Sequence, residues 1–296
     1  MIRWQQKAGK EGKLLKKGLI LEGGAMRGLF SAGVMDVLME AGIVFDGAIG
    51  VSAGAAFGCN YKSGQIGRVL RYNTRFCADK RYSGLQVLLR EGNIFSASFC
   101  YDVVPHHYDP FDYEAYEKSP MEFYVVCSDI ESGEAVYHRY EGRHDHGLEW
   151  IRASASMPLV SRPVEIEGRK YLDGGITDSI PVRFFERIGY DKNVVVLTQP
   201  EGYAKDDSLL VELIKLRYAR RYPKMVERMK TQNRRYNETL EYIARREHAG
   251  DLLVIRPDQR LPVRRVEKDP AKLKTAYEIG RRIASARLAE IRSYLG

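Results

Sequence analysis

A serine flanked by two glycines is the first candidate for covalent chemistry in this chain. It lies in the pentapeptide Gly50-Val51-Ser52-Ala53-Gly54, which matches the G-x-S-x-G pattern of a nucleophile elbow. Gly50 and Gly54 suit such an elbow, because a side chain at either position would collide with the tight turn. Ser52 is therefore predicted to lie at a strand-to-helix turn, where the dipole of the following helix favours negative charge.

A glycine-rich loop upstream offers backbone amides to an anion. It comprises Glu22-Gly23-Gly24-Ala25-Met26-Arg27-Gly28 and is predicted to join a strand to a helix N-terminus, where amide groups point outward. The anion could be a nucleotide phosphate or the oxyanion of a tetrahedral acyl intermediate. The loop lacks the G-x-x-x-x-G-K-[ST] and G-x-G-x-x-G patterns that would favour a phosphate. The oxyanion is favoured because neighbouring parallel strands would bring this loop and Ser52 to the same sheet edge.

A serine hydroxyl needs a general base before it can attack at neutral pH. The six histidines, at positions 106, 107, 138, 144, 146 and 248, include none in a small-residue loop at the end of a convincing central strand. A better candidate is Asp173, which follows a predicted strand and precedes Gly174 and Gly175. The two glycines permit close approach to the carboxylate, although the same Asp-Gly sequence also suits an ordinary turn.

Two strand-loop-helix units in succession predict the fold. Residues 19–21 and 45–49 have the composition of strands, and residues 29–39 place apolar side chains at helical spacing. This pattern favours a three-layer α/β fold with a mostly parallel central sheet flanked by helices. The remaining predicted elements are a helical stretch over 65–90, hairpins over 123–138 and 164–172, strands at 194–197 and 252–255, and helices over 207–247 and 270–295, with a break at Pro223 and no assignment for 91–120.

These motifs, in this order and spacing, resemble those of the patatin-like phospholipases. The similarity covers about residues 18–200 and includes Ala153-Ser154-Ala155-Ser156-Met157-Pro158, which is similar to the family's Ala-Ser-x-x-x-Pro stretch. The resemblance implies a Ser-Asp dyad without a catalytic histidine. Ser52 would attack the ester carbonyl and Asp173 would receive the proton. The amides around Gly24, Ala25 and Met26 would stabilise the oxyanion, with Arg27 nearby.

One position departs from the family pattern. The family's loop reads Gly-Gly-Gly-x-Arg-Gly, whereas this chain has Ala25 at the third glycine. If that position requires a positive φ, alanine would be strained by roughly 1 kcal/mol or more. The donor amides would then be less well aimed, and either activity would be lower or the acyl pocket would be altered.

Composition and charge limit the other expectations. The chain has 296 residues and a net charge of +8; residues 1–200 sum to −1 and residues 201–296 to +9. We expect a basic N-terminal extension over 1–17, a catalytic core over 18–200, and a basic, mainly helical region over 201–296 packed on that core. The apolar segments are too short to span a bilayer, and the N-terminus lacks a secretory h-region. The expected location is therefore the cytoplasm, with no cofactor and no metal. Reduced, structural thiols are expected at Cys59, Cys77, Cys100 and Cys127.

Two other functions stay open on sequence grounds. The first is an α/β-hydrolase-type esterase with a Ser-Asp-His triad, for which His248 is the only histidine after Asp173. The second is a catalytically weak, basic protein that binds lipid or nucleic acid. Its cations cluster at Lys215, Arg217, Arg220, Arg221, Lys224, Arg228, Lys230, Arg234 and Arg235. No nucleic-acid module is recognisable there, so peripheral contact with an anionic membrane is preferred over nucleic acid.

Overall fold

A computed structural model describes residues 15–206 and 217–296. Within them, eight strands form one mixed sheet in the order β5-β6-β3-β2-β1-β7-β8, with β4 paired to β3. The strands β8, β7, β1, β2 and β3 are parallel, as the strand-loop-helix units predict. The strands are β1 Lys16–Leu21, β2 Gly47–Val51, β3 Glu122–Asp129, β4 Ala135–Arg139, β5 Val164–Ile166, β6 Arg169–Asp173, β7 Tyr190–Val196 and β8 Leu252–Ile255.

Helices cover both faces of the sheet, which confirms the predicted three-layer α/β architecture. Along β1, Leu19 and Leu21 pack into one hydrophobic core and Ile20 into another, because successive strand residues point to opposite faces. The helices are α1 Gly28–Glu40, α2 Ala53–Lys62, α3 Arg68–Phe76, α4 Leu85–Glu91, α5 Tyr113–Lys118, α6 Glu149–Ser154, α7 Val182–Arg187, α8 Pro223–Lys230, α9 Gln232–His248, α10 Pro270–Ala286 and α11 Leu288–Leu295.

Two predicted helices are each divided in the structure. The stretch over 65–90 forms α3 and α4, because Gly84 has a φ of 118° and Ser83 pairs with Phe95 as an isolated β-bridge. The stretch over 270–295 is interrupted at Arg287, which separates α10 from α11. The unassigned residues 91–120 contain α5 and a π-helical segment, Phe99–Tyr108, whose wider turn leaves no 3.6-residue period.

Helix α10 packs directly on α1, one of the helices that cover the sheet. A Cβ on Gly33 of α1 would lie 2.1 Å from the Tyr277 carbonyl oxygen of α10, and one on Gly280 would lie 2.1 Å from the Phe30 carbonyl oxygen. The two helices therefore touch through their backbones. Tyr277 also donates a hydrogen bond of 2.6 Å to the buried Asp36. Within the described ranges, no helix is long and apolar enough to cross a membrane.

Candidate active site

Ser52 lies in a strained turn between β2 and α2. Its φ and ψ are 55° and −120°, a conformation that costs a non-glycine residue on the order of 1–3 kcal/mol. The Ser52 amide donates a hydrogen bond of 2.9 Å to Ser154 Oγ, and that hydroxyl donates to the Val126 carbonyl oxygen at 2.6 Å. Ser154 thus ties the turn to β3 and holds the strained backbone in place.

The two glycines of the elbow are required by close backbone packing, as the sequence predicts. A Cβ on Gly54 would lie 2.3 Å from the Leu21 carbonyl oxygen, and one on Gly50 would lie 2.3 Å from the Gly54 carbonyl oxygen. Neither position has room for a side chain. The serine turn and the end of β1 are therefore packed against each other, which brings the glycine-rich loop close to Ser52.

Asp173 reaches Ser52 because two strands meet end to end along β3. β2 runs parallel to β3 and ends with Val51 opposite Val126. β6 runs antiparallel to β3 and ends with Asp173 opposite Cys127, the next residue along. A Cβ on Gly174 would lie 2.1 Å from the Val126 carbonyl oxygen, so this glycine permits the meeting.

The carboxyl group of Asp173 is buried, and burial disfavours its charged form. The residue is 7% exposed, and burial raises the pKa of Asp173 to about 6. The neighbouring Ser52 hydroxyl and the Gly175 amide act in the opposite direction, as do the charges of Lys205 and Arg265. The Gly175 hydrogen bond measures 2.8 Å. A carboxylate with this pKa is a stronger base than an ordinary aspartate and is still ionised at neutral pH.

The glycine-rich loop contacts the serine and presents free amides. A Cβ on Gly23 would lie 3.0 Å from Ser52 Cβ, so the loop passes directly beside the hydroxyl-bearing side chain. Within residues 15–206 and 217–296, the amides of Gly24 and Ala25 have no hydrogen-bond acceptor. They lie at the start of the 3₁₀ turn Ala25–Arg27, just before α1, whose N-terminal end favours an anion. The buried Nε of Arg27 likewise has no partner.

Ala25 occupies the position where the family pattern has a glycine, and its φ is 49°. A positive φ is sterically costly for alanine. Ala25→Gly is expected to raise the free energy of unfolding by roughly 0.5–1 kcal/mol, because glycine accepts this conformation without a steric penalty. Urea denaturation measures the change. Ala249→Gly is the control, because Ala249 has a φ of −75° and only the entropic loss of glycine applies there. Equal destabilisation by both substitutions would contradict the strain at Ala25.

An apolar cavity opens next to Ser52. Its volume is about 100 Å³, and it lies on the α1 and α2 side of the sheet. Among the described lining residues, the one guanidinium is that of Arg68, and it donates hydrogen bonds to the Asp109 carbonyl oxygen and to Asn60 Oδ1. Side chains that contribute to the lining include Met26, Ala56, Phe57, Tyr72, Tyr82, Phe95, Val104 and Met157. Such a wall suits a hydrocarbon chain.

The structure brings together Ser52, Asp173, the elbow glycines and the loop over 23–28, and it leaves the histidines outside. No histidine lines the described cavity. His248 is exposed at the end of α9. His138 hydrogen-bonds Asp145 and stacks on Trp150, and His146 contacts Glu167. Asp173 therefore faces the serine without an intervening imidazole.

Several residues that organise the site carry no sequence signal of that role. Ser154 lies in the stretch over 153–158, whose pattern resembles the family's but does not specify a contact with Ser52. Glu22 is buried and accepts hydrogen bonds from the Thr198 amide at 2.6 Å and the Tyr236 hydroxyl at 2.7 Å. This carboxylate fastens the start of the glycine-rich loop to β7 and α9. Only the folded chain brings these residues together.

The parallel strands of this sheet end in a serine elbow and in a glycine-rich loop with free amides. This arrangement defines a class of α/β proteins suited to acyl chemistry. Within that class the chain belongs to the patatin-like phospholipase family, whose model matches residues 19–185. The match confirms the resemblance inferred from the motifs. A second model, described as a domain of unknown function (DUF6363), matches residues 222–296.

Individual relatives share the first part of the chain. An uncharacterized protein YjjU from Escherichia coli is 31% identical over 62% of this chain and 52% of its own length. The lysophospholipase nte1 of Aspergillus niger is 29% identical over 59% of this chain and 11% of its own length. The match thus spans about half of the bacterial relative and a small part of the fungal one. The crystal structure of VipD from Legionella pneumophila aligns over 92% of this chain and 67% of VipD, with a TM-score of 0.43 and 13% identity.

Proposed function

We propose that this protein hydrolyses carboxylic esters of lipids through a dyad in which Ser52 is the nucleophile and Asp173 is the general base. The observation that carries the proposal is the end-to-end meeting of β2 and β6 on β3. It sets a strained serine against a buried carboxylate whose pKa is about 6. Both belong to the region that the phospholipase family model matches.

In the first half of the reaction, Ser52 Oγ attacks the ester carbonyl carbon while its proton moves to Asp173. The carbonyl oxygen becomes an oxyanion, which the free amides of Gly24 and Ala25 stabilise. The intermediate then collapses, and its carbon–oxygen bond to the alcohol breaks. Asp173 returns the proton to the departing alcohol. The acyl chain remains bound to Ser52 as an ester and occupies the apolar cavity.

In the second half, Asp173 accepts a proton from a water molecule as that water attacks the acyl carbon. The same amides stabilise the second oxyanion. Collapse breaks the bond to Ser52 Oγ, which recovers its proton from Asp173, and the fatty acid leaves. Phospholipid, lysophospholipid and other lipid esters all fit this chemistry, because the acyl group is the part that meets the cavity.

Covalent labelling with a fluorophosphonate tests the dyad and its main alternative together. We expect the adduct on the peptide that contains Ser52, no adduct in Ser52→Ala, and labelling slowed at least a hundredfold in Asp173→Asn. His248→Ala should label at the wild-type rate. Loss of labelling in His248→Ala would favour a Ser-Asp-His triad. No labelling of the folded wild type would favour a catalytically weak lipid-binding protein.

The division of the chain is also part of this proposal. Residues 18–200 would form the catalytic core, and residues 201–296 a basic, mainly helical region packed on it. The backbone contact between α1 and α10 supports this arrangement. Residues 1–14 of the proposed extension 1–17 lie outside the described residues, and Lys16 and Lys17 belong to β1.

We propose a cytoplasmic location with peripheral contact to anionic membrane and no nucleic-acid partner. Leu85 and Leu89 of α4 are 67% and 78% exposed and lie one helical turn apart. Tyr82 and Phe95, on either side of α4, line the cavity at Ser52. These two leucines are therefore placed to enter a lipid surface beside the acyl cavity. Exposed cations flank them at Lys80, Arg81, Arg90 and Lys268.

The basic C-terminal cluster contributes to the same membrane contact, but with fewer cations than the sequence predicts. Lys215 lies outside the described residues. Lys230 and Arg234 pair with Glu227 and Glu238, and Arg228 and Arg235 line a second cavity. The cations that remain exposed for an anionic surface are Arg217, Arg220, Arg221 and Lys224. The Leu159 amide donates to Tyr218 Oη, and the Ile94 amide donates to the Val160 carbonyl oxygen, so one loop links this turn to the segment after α4.

Leu85→Ser/Leu89→Ser is expected to weaken binding to anionic vesicles at least tenfold, because the two leucines together contribute roughly 2–3 kcal/mol on entering the lipid. Vesicle co-sedimentation measures the partitioning. Val44→Ser is the matched control: Val44 is 72% exposed but precedes β2, at the sheet edge away from Ser52. Equal losses in both variants would refute the assignment to α4. Equal binding of the wild type to neutral and anionic vesicles would refute the role of the cations.

A further inference from the structure

A second cavity lies on the opposite face of the sheet from the one at Ser52. Its volume is about 300 Å³, more than ten times the roughly 10–15 Å³ that one water molecule requires. The loop that follows Asp173 forms one wall, and α8 and α9 form another. Ile180 and Tyr236, which line it, belong to the hydrophobic core that is packed against β1 through Ile20.

Three arginines line this cavity, and two of them have unused donors. Arg183, Arg228 and Arg235 contribute to the wall. Among residues 15–206 and 217–296, the buried Nε atoms of Arg228 and Arg235 have no hydrogen-bond partner, although a buried guanidinium N–H ordinarily finds one. Arg183 is held over the ring of Tyr242, with 4.0 Å between the guanidinium carbon and the ring centroid.

The cavity sets two carboxyl groups, those of Asp178 and Glu238, against its three guanidinium groups. Asp178 accepts a hydrogen bond of 2.8 Å from the Tyr137 hydroxyl, and burial raises the pKa of Asp178. Glu238 pairs with Arg234, which is not part of the lining. Burial and the charge of Arg228 lower the pKa of Arg235, while the charges of Asp178 and Glu238 raise it, so the crowded guanidinium groups are compensated only in part.

We propose that this arginine cavity, lined by Arg183, Arg228 and Arg235, is a binding site for a phosphate-type anion. Guanidinium groups offer paired donors that match phosphate oxygens. The oxygens of a phosphate would accept from the two free Nε atoms. The ligand is either free phosphate or the phosphate monoester of a small polar headgroup, since both present the same oxygens.

The site is coupled to the loop that bears Asp173, an inference that rests on the proposed function. Gln232 Nε2 donates a hydrogen bond of 2.5 Å to the Gly175 carbonyl oxygen, and Arg235 Nη2 donates one of 2.7 Å to the Ile176 carbonyl oxygen. The Gly175 amide in turn donates to Asp173. An anion that orders Arg235 therefore also orders the backbone that holds the general base.

Calorimetric titration of the full chain with inorganic phosphate tests the site without reference to activity. We expect saturable binding that Arg228→Gln weakens at least tenfold. Arg234→Gln, on the same surface but outside the lining, should bind as the wild type does. Arg183→Gln should also weaken phosphate binding. Because the Arg183 side chain is exposed, its loss should not disturb the core. Absence of binding, or equal affinity in all variants, overturns the proposal.

A parallel titration with glycerol 3-phosphate separates the two sources. Tighter binding than that of inorganic phosphate identifies a headgroup ester, and weaker binding identifies free phosphate. The coupling is tested by the rate at which Ser52 is labelled by a fluorophosphonate, which saturating phosphate should change at least threefold in the wild type but not in Arg228→Gln. An unchanged rate overturns the coupling. If Ser52 is not labelled under any condition, the proposed function fails while the calorimetry still decides the site.

Discussion

Ser52→Ala is expected to lower kcat/KM for ester hydrolysis by roughly four to six orders of magnitude, the range found when the nucleophile of a serine hydrolase is removed. The reason is direct. Without Oγ no acyl-enzyme can form, and what remains is the stabilisation of a water-attacked intermediate by the loop amides. A soluble chromogenic ester measures the loss without involving a lipid surface.

The fold of this variant should persist, because alanine removes only a hydroxyl and the Ser52 amide keeps its hydrogen bond to Ser154. Circular dichroism and urea denaturation check this. Ser285→Ala is the matched control, since Ser285 is exposed on α10, and it should retain full activity. Wild-type hydrolysis by Ser52→Ala, once contaminating esterase is excluded, would eliminate this serine as the nucleophile.

Asp173→Asn is expected to lower kcat/KM by about 10²–10⁴-fold, because an amide of the same shape cannot accept the serine proton. In the wild type, kcat/KM should rise with pH through about pH 6, where the Asp173 carboxyl group loses its proton. The residual activity of Asp173→Asn should lack that rise. A pH profile of both proteins measures this, and an identical profile in the two would exclude Asp173 as the base.

The same substitution should stabilise the protein, which separates loss of the base from loss of the fold. Burial raises the pKa of Asp173 from 3.8 to about 6, so between these values the folded chain binds more protons than the unfolded chain. Stability from this group is therefore lost as the pH rises from about 4 to 6. At pH 7 the charged carboxylate costs up to about 3 kcal/mol, which Asp173→Asn removes.

Urea denaturation at pH 4 and pH 7 measures the effect. Asp258→Asn is the control, because the Asp258 side chain is 67% exposed and pairs with Arg282 at the surface. Asp258→Asn should change the free energy of unfolding very little at either pH. A strongly destabilised Asp173→Asn at pH 7 would mean that the carboxylate is held by compensating charges rather than penalised by burial.

Most strands and the local motifs of this protein are predictable from its sequence because they depend on short-range sterics, whereas the division of the stretches over 65–90 and 270–295 is not. The short apolar run over residues 19–21 indicates β1, and the hairpin that forms β5 and β6 follows from its turn residues. Gly50 and Gly54 indicate the elbow, because a tight strand-to-helix turn excludes side chains at these positions. The departure from the glycine pattern at Ala25 marks a position where a positive φ would strain alanine, and the structure has a φ of 49° there.

The tertiary structure alone decided how those parts meet. Ser52 and Asp173 become neighbours only because β2 and β6 approach adjacent residues of β3 from opposite directions, and no local pattern encodes the register of three distant segments. The raised pKa of Asp173 follows from burial by residues far along the chain. The arginine cavity arises in the same way, since Arg183 and Arg228 come from helices on separate parts of the sequence. A motif that lies within one turn follows from the local sequence, whereas a site built from several segments depends on long-range packing.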